Sequence, residues 1–151
     1  MSSKQYGTLD IGAHWGRLNE AIAGLVDYVP DDKLDWSPRE DLFNFRGIFL
    51  HISLARHNWL ADTVRDGEQT PDVLRDGQTP EGMKEQLRLS WRRLERFLAD
   101  PAKLAAKYQE DTEVNGHWIA FHLLEHDVHH RADVLHYLAS LEIEHPEVGT
   151  Q

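Results

Sequence analysis

The stretch HLLEHDVHHRADVLHYL, residues 122–138, holds five of the ten histidines of the chain. Around it, apolar residues and two of these histidines recur every three or four positions. That spacing predicts one long α-helix, which Asn115 can cap at its start. The repeating positions are Ile119, Leu123, His126, His130, Val134, Tyr137 and Leu141. Two histidines therefore lie on the apolar side of this helix.

Three more segments show the same helical spacing, and they cover residues 9–29, 45–64 and 80–99. Asn44 can cap the second of these helices, and Thr79 followed by Pro80 suits the start of the third. Four helices without a strand pattern predict an all-α fold, a four-helix bundle with long connections. At 151 residues, the chain has the length of one domain, so we expect a single domain over residues 1–151.

Proline-rich and turn-forming segments separate the helices. PDDKLDWSPREDLFN, residues 30–44, and RDGEQTPDVLRDGQTP, residues 65–80, are predicted to be surface connections, and residues 101–113 a connection with at most one short helical turn. Connections of this length are often functional.

Composition narrows the classes of function. With 16 Lys and Arg against 26 Asp and Glu, the net charge of -10 disfavours nucleic-acid binding. The absence of cysteine excludes disulfides, thiolate metal sites and a thiol nucleophile of the protein's own. No run approaches the ~20 apolar residues of a membrane span. MSSKQYGTLD lacks the apolar core of a signal peptide, so we expect a cytoplasmic protein without membrane contact.

His126 and His130 lie one helical turn apart, which lets both imidazoles face one point. His51 lies on the apolar side of the second helix and is the best candidate for a third ligand. A single histidine among apolar residues is more often a core residue bonded to a carbonyl or hydroxyl. Three converging imidazoles need more polar partners than a core offers, and one metal ion would satisfy all three.

Other side chains are weaker candidates. His122 and His129 lie at the edge of the helical stripe and could contact a ligand or substrate, and His14 could line a pocket. Asp133 could accept a hydrogen bond from a metal-bound imidazole, although a solvated acidic residue is the simpler interpretation. We expect the remaining polar residues to be solvent-exposed and two tryptophans to be core. The exposed set is His57, His117, His136, His145, Glu125 and Asp127; the core pair is Trp15 and Trp59.

The last helix also has apolar residues on its opposite side, at Phe121, Leu124, Val128, Leu135 and Ala139. A helix that is apolar on two sides needs two partners. The second partner is either another helix of the bundle or a second copy of the chain, so a homodimer is a fair alternative.

With LHISLARHNWL, VNGHWIAFHLLEH and LDWSP added to the histidine-rich stretch, the chain resembles the DinB family of metalloproteins over nearly its whole length. The resemblance implies a four-helix bundle, often homodimeric, that binds a divalent metal through His51, His126 and His130. Zinc or nickel is the expected metal, with iron or manganese as alternatives. Relatives commonly continue His-His-Arg-Gly-Gln, whereas here Ala132 and Asp133 follow Arg131, so a substrate contact by that glutamine cannot be assumed.

Three neutral imidazoles leave coordination positions of the metal open to water or substrate, which is typical of catalytic sites. The resemblance implies a transferase that activates a small thiol such as bacillithiol, mycothiol or glutathione, in stress response or detoxification. A hydrolase that uses metal-bound hydroxide is a close alternative, and a non-catalytic, metal-stabilised binding protein is another. The substrate is expected to be a small molecule.

Overall fold

The computed structural model describes residues 9–147, and six α-helices make up most of this part of the chain. Most of MSSKQYGTLD, on which the expectation about a signal segment rests, lies outside the described residues. The helices are α1 (Ile11–Leu25), α2 (Phe45–Asn58), α3 (Val73–Asp76), α4 (Pro80–Leu98), α5 (Pro101–Ala105) and α6 (Gly116–Ser140). Between residues 9 and 147 there is no strand, only an isolated bridge between Lys107 and Asn115. The predicted all-α fold is confirmed.

The four long helices α1, α2, α4 and α6 are the four that the sequence predicts, and side chains cap α2, α4 and α6 where expected. Asn44 Oδ1 accepts a hydrogen bond from the Gly47 amide at 2.7 Å at the start of α2. Thr79 caps α4 and Asn115 caps α6 in the same way. Each cap satisfies an amide that the first turn of the helix leaves without a partner, and so fixes where that helix begins.

The helix that begins at Phe45 continues to the predicted end, but its last turn is wider. After Asn58 the backbone forms a π-helical turn, Trp59–Val64, and Arg65 then adopts a left-handed conformation with φ 57°. The chain therefore changes direction at residue 65.

Contacts at both ends show that α2 and α6 run antiparallel. Phe45 packs against Tyr137 at one end, with ring centroids 5.4 Å apart, and Trp59 packs against Trp118 at the other, 5.7 Å apart. This pairing places the middle of α2, where His51 lies, against the middle of α6.

The α1 and α4 helices are also antiparallel, because Trp15 packs against Trp91 while Asp27 pairs with Lys84. In contrast, α2 and α4 run parallel: Leu50 packs at Gly77, just before α4, and His57 contacts Arg93 further along it. The four long helices thus run up, down, down and up. This topology requires the connection between α2 and α4 to cross the length of the bundle, which explains why it is long.

That connection is more ordered than the surface loop that the sequence predicts. It contains α3, whose Val73 is only 1% exposed, and Arg93 of α4 forms hydrogen bonds with it. The Arg93 guanidinium donates to the carboxylate of Asp66, the hydroxyl of Thr70 and the carbonyl of Glu68. The prediction of a surface connection is therefore only partly right.

The second apolar side of α6 is divided between the core and the surface. Leu135 is buried and Leu124 half-buried, whereas Phe121 and Val128 are 53% and 41% exposed.

Among residues 9–147, none of the helices combines the length and apolarity that crossing a membrane requires.

Gly116 allows α6 to start against α5, because a Cβ at this residue would lie 2.2 Å from the Lys103 carbonyl oxygen. We predict that Gly116→Ala lowers the free energy of unfolding by about 1–3 kcal/mol, the usual cost of overpacking. At Gly24 a Cβ would meet no atom within 4 Å, so Gly24→Ala should stabilise α1 by up to about 1 kcal/mol. Urea unfolding measures the change in free energy of unfolding for each variant. Equal changes in the two variants would contradict the close packing at Gly116.

Candidate metal centre

Three histidines from two helices meet where α2 and α6 touch. The Nε2 atoms of His51 and His126 are 2.8 Å apart, and the three ring centroids, including that of His130, are 4.4–4.9 Å apart. One nitrogen of each ring lies within 4.8 Å of one nitrogen of the other two. The structure therefore brings together the three side chains that the sequence pattern singles out.

The cluster lies at the edge of the bundle, not at its centre. The side chains of His126 and His130 keep 18% and 10% of their exposure, and His51 is half-buried. Because one side of the cluster faces outward, a small molecule can reach it.

The donor set fits a divalent cation. Two nitrogens about 2.1 Å from one metal and at right angles would be roughly 3 Å apart, close to the separation of the His51 and His126 Nε2 atoms. Burial, and then the neighbouring histidines, lowers the pKa of His130 to about 4. Burial and His126 lower the pKa of His51 in the same direction. Both rings are thus neutral near pH 7, as metal ligands must be.

A buried ion pair joins the same two helices beside this cluster. Arg56 of α2 and Asp127 of α6 have fully buried side chains, and Arg56 Nη2 donates to Asp127 Oδ2 at 2.8 Å. The indole Nε1 of Trp15 donates to the same oxygen at 2.7 Å. Arg56 Nη1 also donates to Asn19 Oδ1 and Ser90 Oγ. The pair therefore links all four long helices.

Asp127 was expected to be a solvated residue, and that expectation is wrong. Burial alone would raise the pKa of its carboxyl, but the charge of Arg56 and the hydrogen bonds to the carboxylate outweigh burial and lower the pKa. Asp127 stays ionised because the partners of its charge are buried with it.

The free oxygen of this carboxylate lies on the side of the histidine cluster. Asp127 Oδ1 and His126 Nδ1 are both buried without a hydrogen-bond partner, and they lie 4.0 Å apart. A metal-bound imidazole usually donates its other N–H to a carboxylate or carbonyl. A small rotation of either side chain would make that bond, so Asp127 is a candidate orienting residue that the sequence analysis missed.

Asp133 and His129 lie on the outer side of His130. The Asp133 carboxylate oxygen Oδ2 is 3.2 Å from His130 Nδ1 and 3.5 Å from His129 Nε2. An ionised carboxylate only accepts, so His130 Nδ1 carries the proton in this contact. The side chain of His129 is 71% exposed.

The two remaining candidate histidines lie outside the cluster. His122 stacks on Trp118, with ring centroids 4.9 Å apart, and contacts Trp59 edge-on. His14 is exposed and does not line the hollow beside α1. Trp15, in contrast, is buried in the core as expected.

An apolar hollow of about 270 Å³ opens beside His51. Phe43 stacks on the His51 ring at 4.8 Å and is 49% exposed, and Leu50, Leu54 and Leu74 complete the apolar lining. A larger hollow of about 660 Å³ lies between α1 and the start of α6 and includes none of the three clustered histidines.

His57 was expected to be exposed, but it is only 2% exposed. Arg93 Nη1 lies 3.1 Å from His57 Nδ1, and because arginine only donates, Nδ1 must accept. Burial, followed by the charges of Arg93 and Arg56, lowers the pKa of His57 to about 4. His117 and His136 are exposed as expected, and His145 is half-buried.

The lowered pKa values of His57 and His130 predict acid sensitivity of the metal-free protein. The unfolded chain binds a proton on each ring below about pH 6.5, whereas the folded chain does so only near pH 4. Stability should therefore fall as the pH drops through this window. Over this pH range, the urea midpoint of His57→Gln should fall less than that of the wild type. The urea midpoint of His136→Gln should fall as much as that of the wild type. An unaltered fall in His57→Gln would contradict the neutral, accepting state of His57.

Breaking the central ion pair should be costly. Asp127→Asn leaves Arg56 buried without a counter-charge, and we expect a loss of about 3–5 kcal/mol in the free energy of unfolding. Glu85→Gln, which removes an exposed partner of Arg88, should change it little. Urea unfolding at pH 7 compares the two, and a loss in Asp127→Asn as small as that in Glu85→Gln would contradict the role given to this pair.

Comparisons with known proteins show which proteins the chain is similar to. The sequence model of the DinB family matches residues 1–148. A search of curated proteins gives no match. Among solved structures, the chain is similar to a DinB-like protein, YjoA, from Bacillus subtilis, with a TM-score of 0.67 and 16% sequence identity. The match covers 92% of this chain and 94% of that one. At this identity the likeness establishes the fold alone.

Proposed function

The chain belongs to the DinB family, and we propose that His51, His126 and His130 bind one divalent cation that serves as a catalytic centre. The observation that carries the proposal is the convergence of three imidazoles from two helices. Within residues 9–147, the polar contacts of these rings are with one another and with the Asp133 carboxylate, rather than with a hydroxyl or a backbone carbonyl. Zinc or nickel is the proposed metal; imidazole also suits iron, and manganese is a further alternative.

The neighbouring residues of the chain give each imidazole a role. Asp133 accepts from His130 Nδ1 and so directs the opposite nitrogen, Nε2, toward the shared centre. Phe43 stacks on His51 and limits how far that ring can turn. Asp127 lies close enough to His126 Nδ1 to orient the third ring.

When bound, such a cation supplies Lewis acidity, which lowers the pKa of a water or thiol ligand toward neutral pH. We propose thiol transfer as the reaction, with a low-molecular-weight thiol as cosubstrate, in detoxification or stress response. The chain has no cysteine of its own to supply the nucleophile. The apolar hollow at His51 is suited to the apolar part of a small electrophile, because Leu50, Leu54 and Leu74 line it.

Hydrolysis is the second candidate, and one observation favours it. The exposed imidazole of His129 lies next to the cluster, with its ring centroid 5.0 Å from that of His130. An imidazole there could accept a proton from a water molecule that approaches from the open side.

Further proposals concern the whole molecule. We propose that residues 1–151 form a single domain and that the protein is cytoplasmic. The exposed apolar residues of α6, Phe121 and Val128, are proposed to pack against a second copy in a homodimer.

Metal content tests the ligand assignment. We expect protein purified without an affinity tag or added metal to contain at least one divalent ion per chain, by elemental analysis. His51→Ala and His126→Ala should each lose the ion that the three-histidine cluster holds. His136→Ala, which removes an exposed histidine of the same helix, should keep it. Full occupancy in both cluster variants would refute the assignment.

The reaction is tested by mixing the metal-loaded protein with a panel of apolar electrophiles, each with and without a small thiol. Thiol transfer predicts that thiol is consumed and an S-conjugate forms, and that His51→Ala abolishes both. Release of a hydrolysis product without thiol would support the second candidate. Neither reaction with any electrophile, despite full metal occupancy, would count against a catalytic centre.

A further inference from the structure

The imidazole of His130 belongs to two groups of metal-ligating side chains. Its Nδ1 lies 3.2 Å from Asp133 Oδ2, and one nitrogen of the same ring lies within 4.8 Å of one nitrogen each of His51 and His126. We propose that His129, His130 and Asp133 form a second divalent-cation site, which shares the His130 ring with the first. This inference rests on the proposed function, because the ring is shared only if the first site binds a metal.

The distances suit a cation. The Asp133 Oδ2 atom is 3.2 Å from His130 Nδ1 and 3.5 Å from His129 Nε2. Ligand atoms about 2.1 Å from a common metal are roughly 3.0–3.5 Å apart, so both separations fit one ion. One ligand atom of each side chain lies within 4.8 Å of the other two.

The scaffold of the second group is a single helix. His129 and His130 precede Asp133 on α6 by four and three residues, so each imidazole can reach its carboxylate. No helix has to move for an ion to bind. Because His129 keeps 71% of its side-chain exposure, this site is open to water on its outer side.

The charges also favour binding. Unlike the first cluster, the second includes a carboxylate, which offsets part of the ion's charge. Two nitrogens and one oxygen suit zinc, nickel or copper. An ion held by His130 Nδ1 would displace the proton on that nitrogen to solvent, and with the first ion on Nε2 the ring would then be an imidazolate ligand of both. Because the cations repel each other, the second should bind more weakly than the first.

The simpler alternative is that Asp133 only accepts a hydrogen bond from His130. The two interpretations differ at His129, which has no part in that hydrogen bond. In the simpler alternative His129→Ala changes nothing, whereas Asp133→Asn weakens the single ion by about 10–100-fold.

Zinc titration of the full-length, tag-free, metal-stripped protein against a chromophoric chelator separates these cases. We expect two ions per chain in the wild type and in His136→Ala. One ion should remain in His129→Ala and in Asp133→Asn, with the second weakened at least about 100-fold. His51→Ala should also keep one ion, while His130→Ala should keep none.

Three other outcomes would overturn one of the two sites. One ion in the wild type, lost in His51→Ala, would overturn the second site and leave the proposed function intact. A second ion that persists in His129→Ala would be adventitious and would also overturn the second site. Binding that His51→Ala leaves unchanged would instead count against the first site.

Copper(II) gives an independent readout of the shared ring. Two copper ions bridged by one imidazolate couple antiferromagnetically, so the integrated EPR intensity at two equivalents should fall below that of two isolated ions. An intensity equal to the sum of two isolated ions would overturn the sharing of His130.

Discussion

The ion pair between Arg56 and Asp127 determines how the histidine-bearing helices face each other. Both side chains are fully buried, and their hydrogen bonds reach α1 through Trp15 and Asn19 and α4 through Ser90. A buried charge is tolerated only with its partner in place, so other rotations of α6 against α2 would leave a charge unpaired. The residue next to Asp127 in the sequence is His126, and its direction follows from this constraint.

The site follows from that packing. Since α2 and α6 run antiparallel, one turn of α2 meets one turn of α6, and His51 reaches both His126 and His130. All three histidines lie on long helices, which hold side chains more accurately than loops do. The outer edge of the same turn carries His129 and Asp133, so one short segment of α6 supplies polar groups on both sides of His130.

The sequence alone was enough to predict the four long helices, three of their caps and the three clustered histidines. Helical spacing places residues on a common side, and capping residues are local signals. It was not enough to predict that Asp127 and His57 are buried. Spacing shows which residues share a side of a helix, but not which charges a partner helix brings there. Arg56 and Asp127 are 71 positions apart, and Arg93, which buries His57, belongs to yet another helix. The sequence also did not show that the connection before α4 is held in place, because the residue that binds it, Arg93, lies on α4.

The central claim is that imidazoles from α2 and α6 share one cation. The most direct measurement is anomalous diffraction at the absorption edge of the metal found in protein purified without a tag. A shared cation should give a peak about 2.0–2.3 Å from one nitrogen each of His51, His126 and His130. A peak elsewhere, or a metal-loaded crystal without density between these rings, would contradict it.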